Sequence, residues 1–163
     1  MTKHSTKSAQ DLHQVLTFKL GEDRFALAIE SVHEILDAQT HTKVPNADAF
    51  APGVVNVRGT VVPFVDIRNR LQMPPLSQSD DQRMIVVELP IDGSPQTLAC
   101  GADLVEQVTE VDASAIEPVP ELGAVWPQAY LWGAVRHNGE RLILLNVETL
   151  FQPTRPKIEG TNP

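Results

Sequence analysis

Gly53-Val54-Val55-Asn56-Val57-Arg58-Gly59-Thr60-Val61-Val62-Pro63-Phe64-Val65-Asp66-Ile67-Arg68-Asn69-Arg70-Leu71 is the stretch on which the fold turns. Two β-rich runs flank Gly59, which marks a hairpin, and Asp66 stands as an N-cap before a helical turn ending near Leu71. Pro63 lacks a backbone donor, so it implies a sheet edge or a bulge at that point. The same pattern returns 80 residues later without a gap, from Gly133 to Phe151. Gly53 meets Gly133, Gly59 meets Gly139 and Asp66 meets Asn146. Val54/Ala134, Val55/Val135, Val62/Leu142, Phe64/Leu144, Val65/Leu145, Ile67/Val147 and Leu71/Phe151 are apolar on both sides. Chance would supply about three such pairs at this composition, so the chain reads as an internal duplication. A weaker echo at offset 73 lays Ile29-Glu30-Ser31-Val32 over Ala102-Asp103-Leu104-Val105, and Ile35 over Val108.

Working outward, the rest of the chain also reads as short strands. Leu16, Phe18 and Leu20 alternate with polar neighbours, Gly21-Glu22-Asp23 signals a turn, and Phe25, Leu27 and Ile29 resume the alternation. That is a hairpin with one buried face. Met84 to Leu89 is a further β-rich run. Leu131 to Val135 and Arg141 to Leu145 flank Asn138-Gly139, a strong hairpin signal. The apolar positions Ile29, Val32, Ile35 and Leu36 fit helix and strand equally. Helical candidates are Asp66 to Leu71, Asn146 to Phe151 and Asn46 to Phe50. Residues 1–14 and 152–163 read as flexible tails, and 74–82, with its prolines, serines and aspartates, as a linker or long loop between halves at 15–73 and 83–151.

Each half is then a small, strand-rich unit of about 65 residues, too small to be robust alone. A sheet of that size leaves exposed edges unless it closes on itself. The expected architecture is mainly β: two small barrels side by side around a shared apolar core, with a few short helices and a groove where they meet.

The composition narrows the function. Thirteen Lys+Arg against 21 Asp+Glu give a formal charge of −8, which argues against a grip on nucleic-acid phosphates. The asymmetry is strong: residues 1–80 hold 8 basic and 9 acidic side chains, residues 81–163 hold 5 and 12. A partner meeting the second half should be neutral or basic there. No apolar run approaches the roughly 20 residues that span a bilayer, so no membrane insertion is expected. The single Cys100 excludes an intramolecular disulfide.

Catalytic signals are thin. His33-Glu34-Ile35-Leu36-Asp37 has aspartate where a zinc-protease helix needs its second histidine. Cys100 has no evident base beside it and reads as a small core residue. Asp66 follows an apolar strand, where a catalytic carboxylate can sit, but its counterpart Asn146 can only cap. Arg58 can lie along apolar surface and bind loop carbonyls, or present its guanidinium to a partner. Trp126, Tyr130 and Trp132 concentrate aromatic surface, as core or as a binding hot spot, with core the expected use.

Taken in order, several pieces resemble the CheW-like chemotaxis coupling proteins, from Leu16 to Phe151. They are Phe18-Lys19-Leu20-Gly21 with Phe25-Ala26-Leu27, Ile29 to Ile35, Val44-Pro45-Asn46, Gly53 to Gly59, Val62 to Arg68, Ala102 to Val105, and Ile116-Glu117-Pro118. The Asn-x-Arg-Gly then Pro-x-x-Asp arrangement is the most specific. The resemblance implies a pair of five-stranded SH3-like barrels, no catalytic activity and no cofactor or metal. It implies a cytoplasmic adaptor, recruited to membrane-associated receptor arrays. There it would bridge the cytoplasmic tips of chemoreceptors (methyl-accepting chemotaxis proteins) to the regulatory domain of a histidine autokinase. By motif, the receptor groove would include Val32, Glu34, Gly53, Arg58, Leu104 and Val105. Leu98-Ala99-Cys100-Gly101-Ala102-Asp103 departs from the family pattern, which has a glycine, an apolar run and Val-Asp there. Two other readings stand beside this one: the same adaptor in another pathway, such as twitching motility or regulation of another kinase, and a small β-barrel enzyme or metal-binding protein using Asp66, His33 or Glu34.

Overall fold

The computed structural model describes residues 12–75, 80–119 and 126–152. Residues 1–11, 76–79, 120–125 and 153–163 lie outside that description, and with them most of the stretches read as tails and part of the one read as a linker. Among the described residues eleven strands run in chain order: β1 (Leu12–Leu20), β2 (Asp23–Ala28), β3 (Val32–Asp37), β4 (Thr42–Lys43), β5 (Gly53–Val57), β6 (Thr60–Phe64), β7 (Arg83–Ile91), β8 (Ser94–Ala102), β9 (Leu104–Asp112), β10 (Leu131–His137) and β11 (Glu140–Leu145). Two single-turn helices, α1 (Ile67–Arg70) and α2 (Val147–Leu150), follow β6 and β11.

The strands form two sheets, ordered β3-β7-β8-β6-β5-β4 and β10-β11-β2-β1-β9. Read from β3 and from β9, the orders are equivalent once the short β4 is set aside. β3 pairs with β7 as β9 pairs with β1, and the parallel contact of β6 with β8 (Phe64 with Ala99) matches that of β11 with β2 (Leu144 with Ala26). The repeats therefore exchange their opening hairpins. β1–β2 completes the sheet of the second repeat, and β7–β8 completes that of the first.

The internal repeat holds at the level of single bonds. The Asp66 amide donates to the Phe50 carbonyl (2.6 Å), and the Asn146 amide to that of Tyr130 (2.9 Å), each pair 80 residues from the other. Asp66 caps α1 by accepting from the Asn69 amide, and Asn146 caps α2 by accepting from those of Glu148 and Thr149. At offset 73, both edge strands carry a bulge at the same place, His33 in β3 and Glu106 in β9.

The apolar alternation sorts side chains into three clusters. Met84 and Val86 of β7 join Val55, Val57 and Val62 inside the first barrel. Leu142 and Leu144 of β11 join Val15, Val111 and Val135 inside the second. The intervening residues, Ile85 and Val87 on β7 and Ile143 and Leu145 on β11, face the seam with Phe18, Phe25, Leu27 and Cys100. β7 and β11 are thus buried on both faces, which is why they read as continuous apolar runs. Each fully buried Leu, Ile or Phe contributes about 1.5–3 kcal/mol, so this shared core adds to stability alongside the barrel interiors.

Four expectations need correction. Residues 46–50 are turns, not helix: Asn46 has φ +63°, and the Asp48 carboxylate accepts from the Phe50 amide (2.9 Å), closing a local turn instead. Pro63 lies on an interior strand, because β6 sits between β5 and β8. It is tolerated there because β6 meets β8 only at Phe64, one residue later. β1 begins at Leu12, within the stretch read as a tail, since its first residues pair with Asp112 and Val111. The two tryptophans divide: Trp126 is buried edge-on to Phe25 (5.5 Å between centroids), whereas Trp132 is 43% exposed.

Candidate functional site

Arg58 and Gly59 form the two-residue turn between β5 and β6, with φ of +53° and +87°. This left-handed pair suits the twist of a hairpin. The Asn56 carboxamide accepts from the Gly59 amide (2.9 Å) and holds the turn. Glu34 lies 24 residues earlier on β3, at the opposite side of the same sheet. The sheet curls until these sides meet: Arg58 Nε donates to both Glu34 carboxylate oxygens (2.9 and 3.1 Å), and Gln39 Nε2 to the Asn56 carbonyl (3.2 Å). Arg58 therefore engages a carboxylate rather than loop carbonyls, with 73% of its side chain exposed against 18% for Glu34.

The second repeat shows what this pair is not needed for. Asn138-Gly139 makes the same turn, with φ of +53° and +80°. Asparagine is at ease there, whereas other side chains pay about 1 kcal/mol or more in the left-handed region. Gln107 stands where Glu34 does, so the second repeat has no equivalent ion pair. That barrel carries its charge link elsewhere. Arg24 on β2 forks onto Glu106 on β9 (2.9 and 3.0 Å) and also pairs with Glu140 on β11. The bond to Glu106 raises the Arg24 pKa further above its ordinary value.

The other anticipated groove residues fall into two groups. Val32 and Val105, related by the repeat, both pack partly buried against the seam cluster, and Leu104 beside Val105 is 37% exposed. Gly53 does not join Arg58; it starts the strand that Arg58 follows, some 15 Å away along an extended chain. It is buried, and a Cβ there would fall against the Thr42 carbonyl and 2.7 Å from His41 Cδ2. Gly133 is its equivalent: a Cβ there would lie 2.5 Å from Ile116 Cγ2 and 2.8 Å from the Glu117 carbonyl oxygen. Both glycines let a crossing segment, β4 in one barrel and Ile116-Glu117 in the other, lie against the strand.

Other chemistry finds little footing. Asp66 is committed to capping α1, Glu34 to Arg58, and His33 sits exposed on its bulge. Among the described residues, no three His, Cys, Asp or Glu side chains converge as a metal site. Burial pushes the Cys100 thiol up to about 12, which keeps it protonated. No helix among the described residues is long and apolar enough to cross a membrane.

Comparison with known proteins bears on the same geometry. The chemotaxis protein CheW of Rhizobium meliloti is 26% identical over 149 residues, covering 91% of this chain and 92% of the relative. Protein FrzA of Myxococcus xanthus is 28% identical over 153 residues, covering 91% of each. The crystal structure of the scaffolding protein TtCheW from Thermoanaerobacter tengcongensis superposes with a TM-score of 0.75 at 27% identity, over 94% of each chain. The CheW-like domain model matches residues 14–155, which takes in both barrels, the seam and the Glu34–Arg58 pair. By its exchanged-hairpin double barrel and by this match over most of its length, the chain belongs to the CheW-like domain family.

Proposed function

We propose that the protein is a non-enzymatic adaptor that couples the cytoplasmic tips of chemoreceptors to the regulatory domain of a histidine autokinase in chemotaxis. The observation that carries this reading is Arg58. The hairpin turn needs only what Asn138-Gly139 supplies, yet here it carries a mostly exposed arginine in a left-handed conformation, oriented by Glu34. An exposed ion pair contributes only about 0–1 kcal/mol to stability, so folding gives little reason for it. A preset guanidinium on a solvent-facing turn is suited to fixing the register of a docked partner. In this reading Val32, Leu104 and Val105 supply apolar contact at the seam, and Gly53 acts through the backbone packing of its barrel. Signal passes by linkage: an adaptor that holds receptor and kinase together and prefers one signalling state transmits that state.

Arg58→Asn tests this, because it installs the residue of the second repeat. The variant should melt within about 3 °C of the wild type, a change of under 1 kcal/mol, yet co-sediment at least fivefold less with receptor-bearing membranes and kinase. Wild-type co-sedimentation by a folded variant would remove Arg58 from the interface. A second reading, the same adaptor in another chemosensory-type pathway such as twitching motility, draws on FrzA, which matches over as much of the chain as the chemotaxis relatives do. Identifying the kinase recovered in a pull-down from native extract separates the two.

A further inference from the structure

Beside each short helix the two repeats carry equivalent positions, which hold a buried ion pair in the first repeat and carboxylates alone in the second. In the first repeat, Arg68 is nine-tenths buried, pairs with Asp103 and donates to the Pro74 carbonyl (3.0 Å). Asp103 also accepts from the Gly21 amide (2.5 Å), and its own amide donates to the Lys19 carbonyl (2.9 Å). The repeat register gives the counterpart of each residue. Arg68 becomes Glu148 at offset 80, and Asp103 becomes Glu30 at offset 73. Lys19 becomes Glu88, because Phe18 faces Val105 as Val87 faces Val32. Asp66 becomes Asn146. Two cations and two anions in the first repeat are thus replaced by three carboxylates and an amide in the second.

The hollow there is an open cleft of about 440 Å³ between the sheets, with the exposed Glu30, Glu88 and Glu148 around Leu89, Val147 and Trp132. No Lys, Arg or His lines the cleft, and His13 packs edge-on to Trp132 (5.2 Å between ring centroids). Among the described residues none of the three carboxylates has an ion-pair partner. Trp132 is turned outward by a bulge in β10, between Leu131 opposite Leu145 and Gly133 opposite Leu144. An exposed indole beside unpaired carboxylates is suited to a guanidinium, which stacks on the ring while it donates to the acids.

We propose that this hollow is a docking site for an arginine-bearing segment of a partner protein, the guanidinium taking up Glu30 and Glu148 as Arg68 takes up Asp103 in the first repeat. The site shares no residue with the receptor surface proposed above, so the two stand or fall separately. The carboxylates supply charge complementarity, and the exposed Trp132 ring supplies the stacking face.

The probe is an acetylated, amidated hexapeptide with two arginines, titrated into the full-length protein by amide NMR. Its control is the same peptide with citrulline at both positions, equal in shape but uncharged. The arginine peptide should shift Glu30, Ser31, Glu148 and the Trp132 indole N–H, and bind at least tenfold more tightly than the citrulline peptide. Glu30→Gln combined with Glu148→Gln should lose at least tenfold. Glu148→Arg, which restores the first repeat's residue, should abolish binding. Equal binding of the two peptides by the wild type, shifts that map elsewhere, or no shifts at millimolar peptide overturn the proposal without reference to any variant. A chain ending at Gln152 distinguishes the occupant: unchanged affinity supports a partner segment. A tenfold gain on truncation assigns the site to the chain's own Arg155 or Lys157 and overturns the partner.

Discussion

Arg70→Leu is the sharpest test of how the repeats are joined. Arg70 ends α1 in the first repeat but spends its donors on the second. Nη1 donates to the carbonyls of Thr149 (3.1 Å) and Leu150 (3.0 Å), and Nη2 to that of Gln152 (2.6 Å). Its guanidinium lies 3.7 Å from the Phe50 ring centroid and 5.2 Å from that of Tyr130. Phe50 and Tyr130 are themselves equivalent at offset 80, so one arginine clamps both copies of this corner and closes the C-terminal end of α2. The second repeat has Leu150 in the equivalent place, so leucine fits the local helix and isolates the lost donors. Hydrogen bonds from a charged group contribute about 1.5–3 kcal/mol each, but water and the leucine side chain recover part of three such losses. The stacking on Phe50 adds about 1 kcal/mol. The net cost should be about 2–4 kcal/mol, or a fall in Tm of about 5–15 °C for a chain of this size. Urea unfolding should show a lower midpoint at an unchanged slope, and Arg70→Lys should recover less than half of the loss, because an ammonium cannot fork across three carbonyls. A loss below about 0.5 kcal/mol for Arg70→Leu would refute the reasoning, since that is the range of an ordinary surface change.

Gly53→Ala should cost about 1–3 kcal/mol by overpacking against Thr42 and His41, and hydrogen exchange at Thr42 and Lys43 should rise while the second barrel is unaffected. Asn146→Ala should cost about 1 kcal/mol through the lost cap of α2, measured as a lower Tm. Cys100 should resist a water-soluble thiol reagent at pH 8 in the folded protein and react at once in denaturant. Its pKa is raised from 9.0 to about 12 on folding, so below pH 9 the thiol is protonated in both states and stability is indifferent to it. Between pH 9 and 12 the unfolded chain loses the proton first, and stability should fall as pH rises, a fall that Cys100→Ala should blunt.

The parts of the fold legible in the sequence are those with local chemistry. β5–β6–α1 and β10–β11–α2 announce themselves by a glycine turn, an apolar run and a capping Asp66 or Asn146, all within 19 residues. What stayed hidden is set by distant partners. Ile29, Val32, Ile35 and Leu36 suit a helix or a strand alike, and only pairing with β7, with His33 bulged out, makes β3 a strand. β8 contains proline, glycine and little β-branching, and owes its conformation to its central place between β7 and β6. Resemblance could name Glu34 and Arg58 as site residues, but their bond depends on how far a six-stranded sheet curls. Trp132 was expected in the core, and the one-residue bulge that turns it outward leaves no mark in the local pattern. The hollow beside it could be recognised only after the exchange of hairpins had shown which residues are counterparts.

That exchange has a consequence during synthesis. β1 and β2 leave the ribosome first, yet the strands that flank them, β9 and β11, span residues 104–145. At roughly 5–20 residues per second, the opening hairpin waits on the order of ten seconds with both edges unpaired. Throughout that interval it is open to pairing with the nascent hairpin of a neighbouring polysome, so yield in the cell should depend on translation speed and chaperone supply more steeply than the stability of the finished molecule suggests.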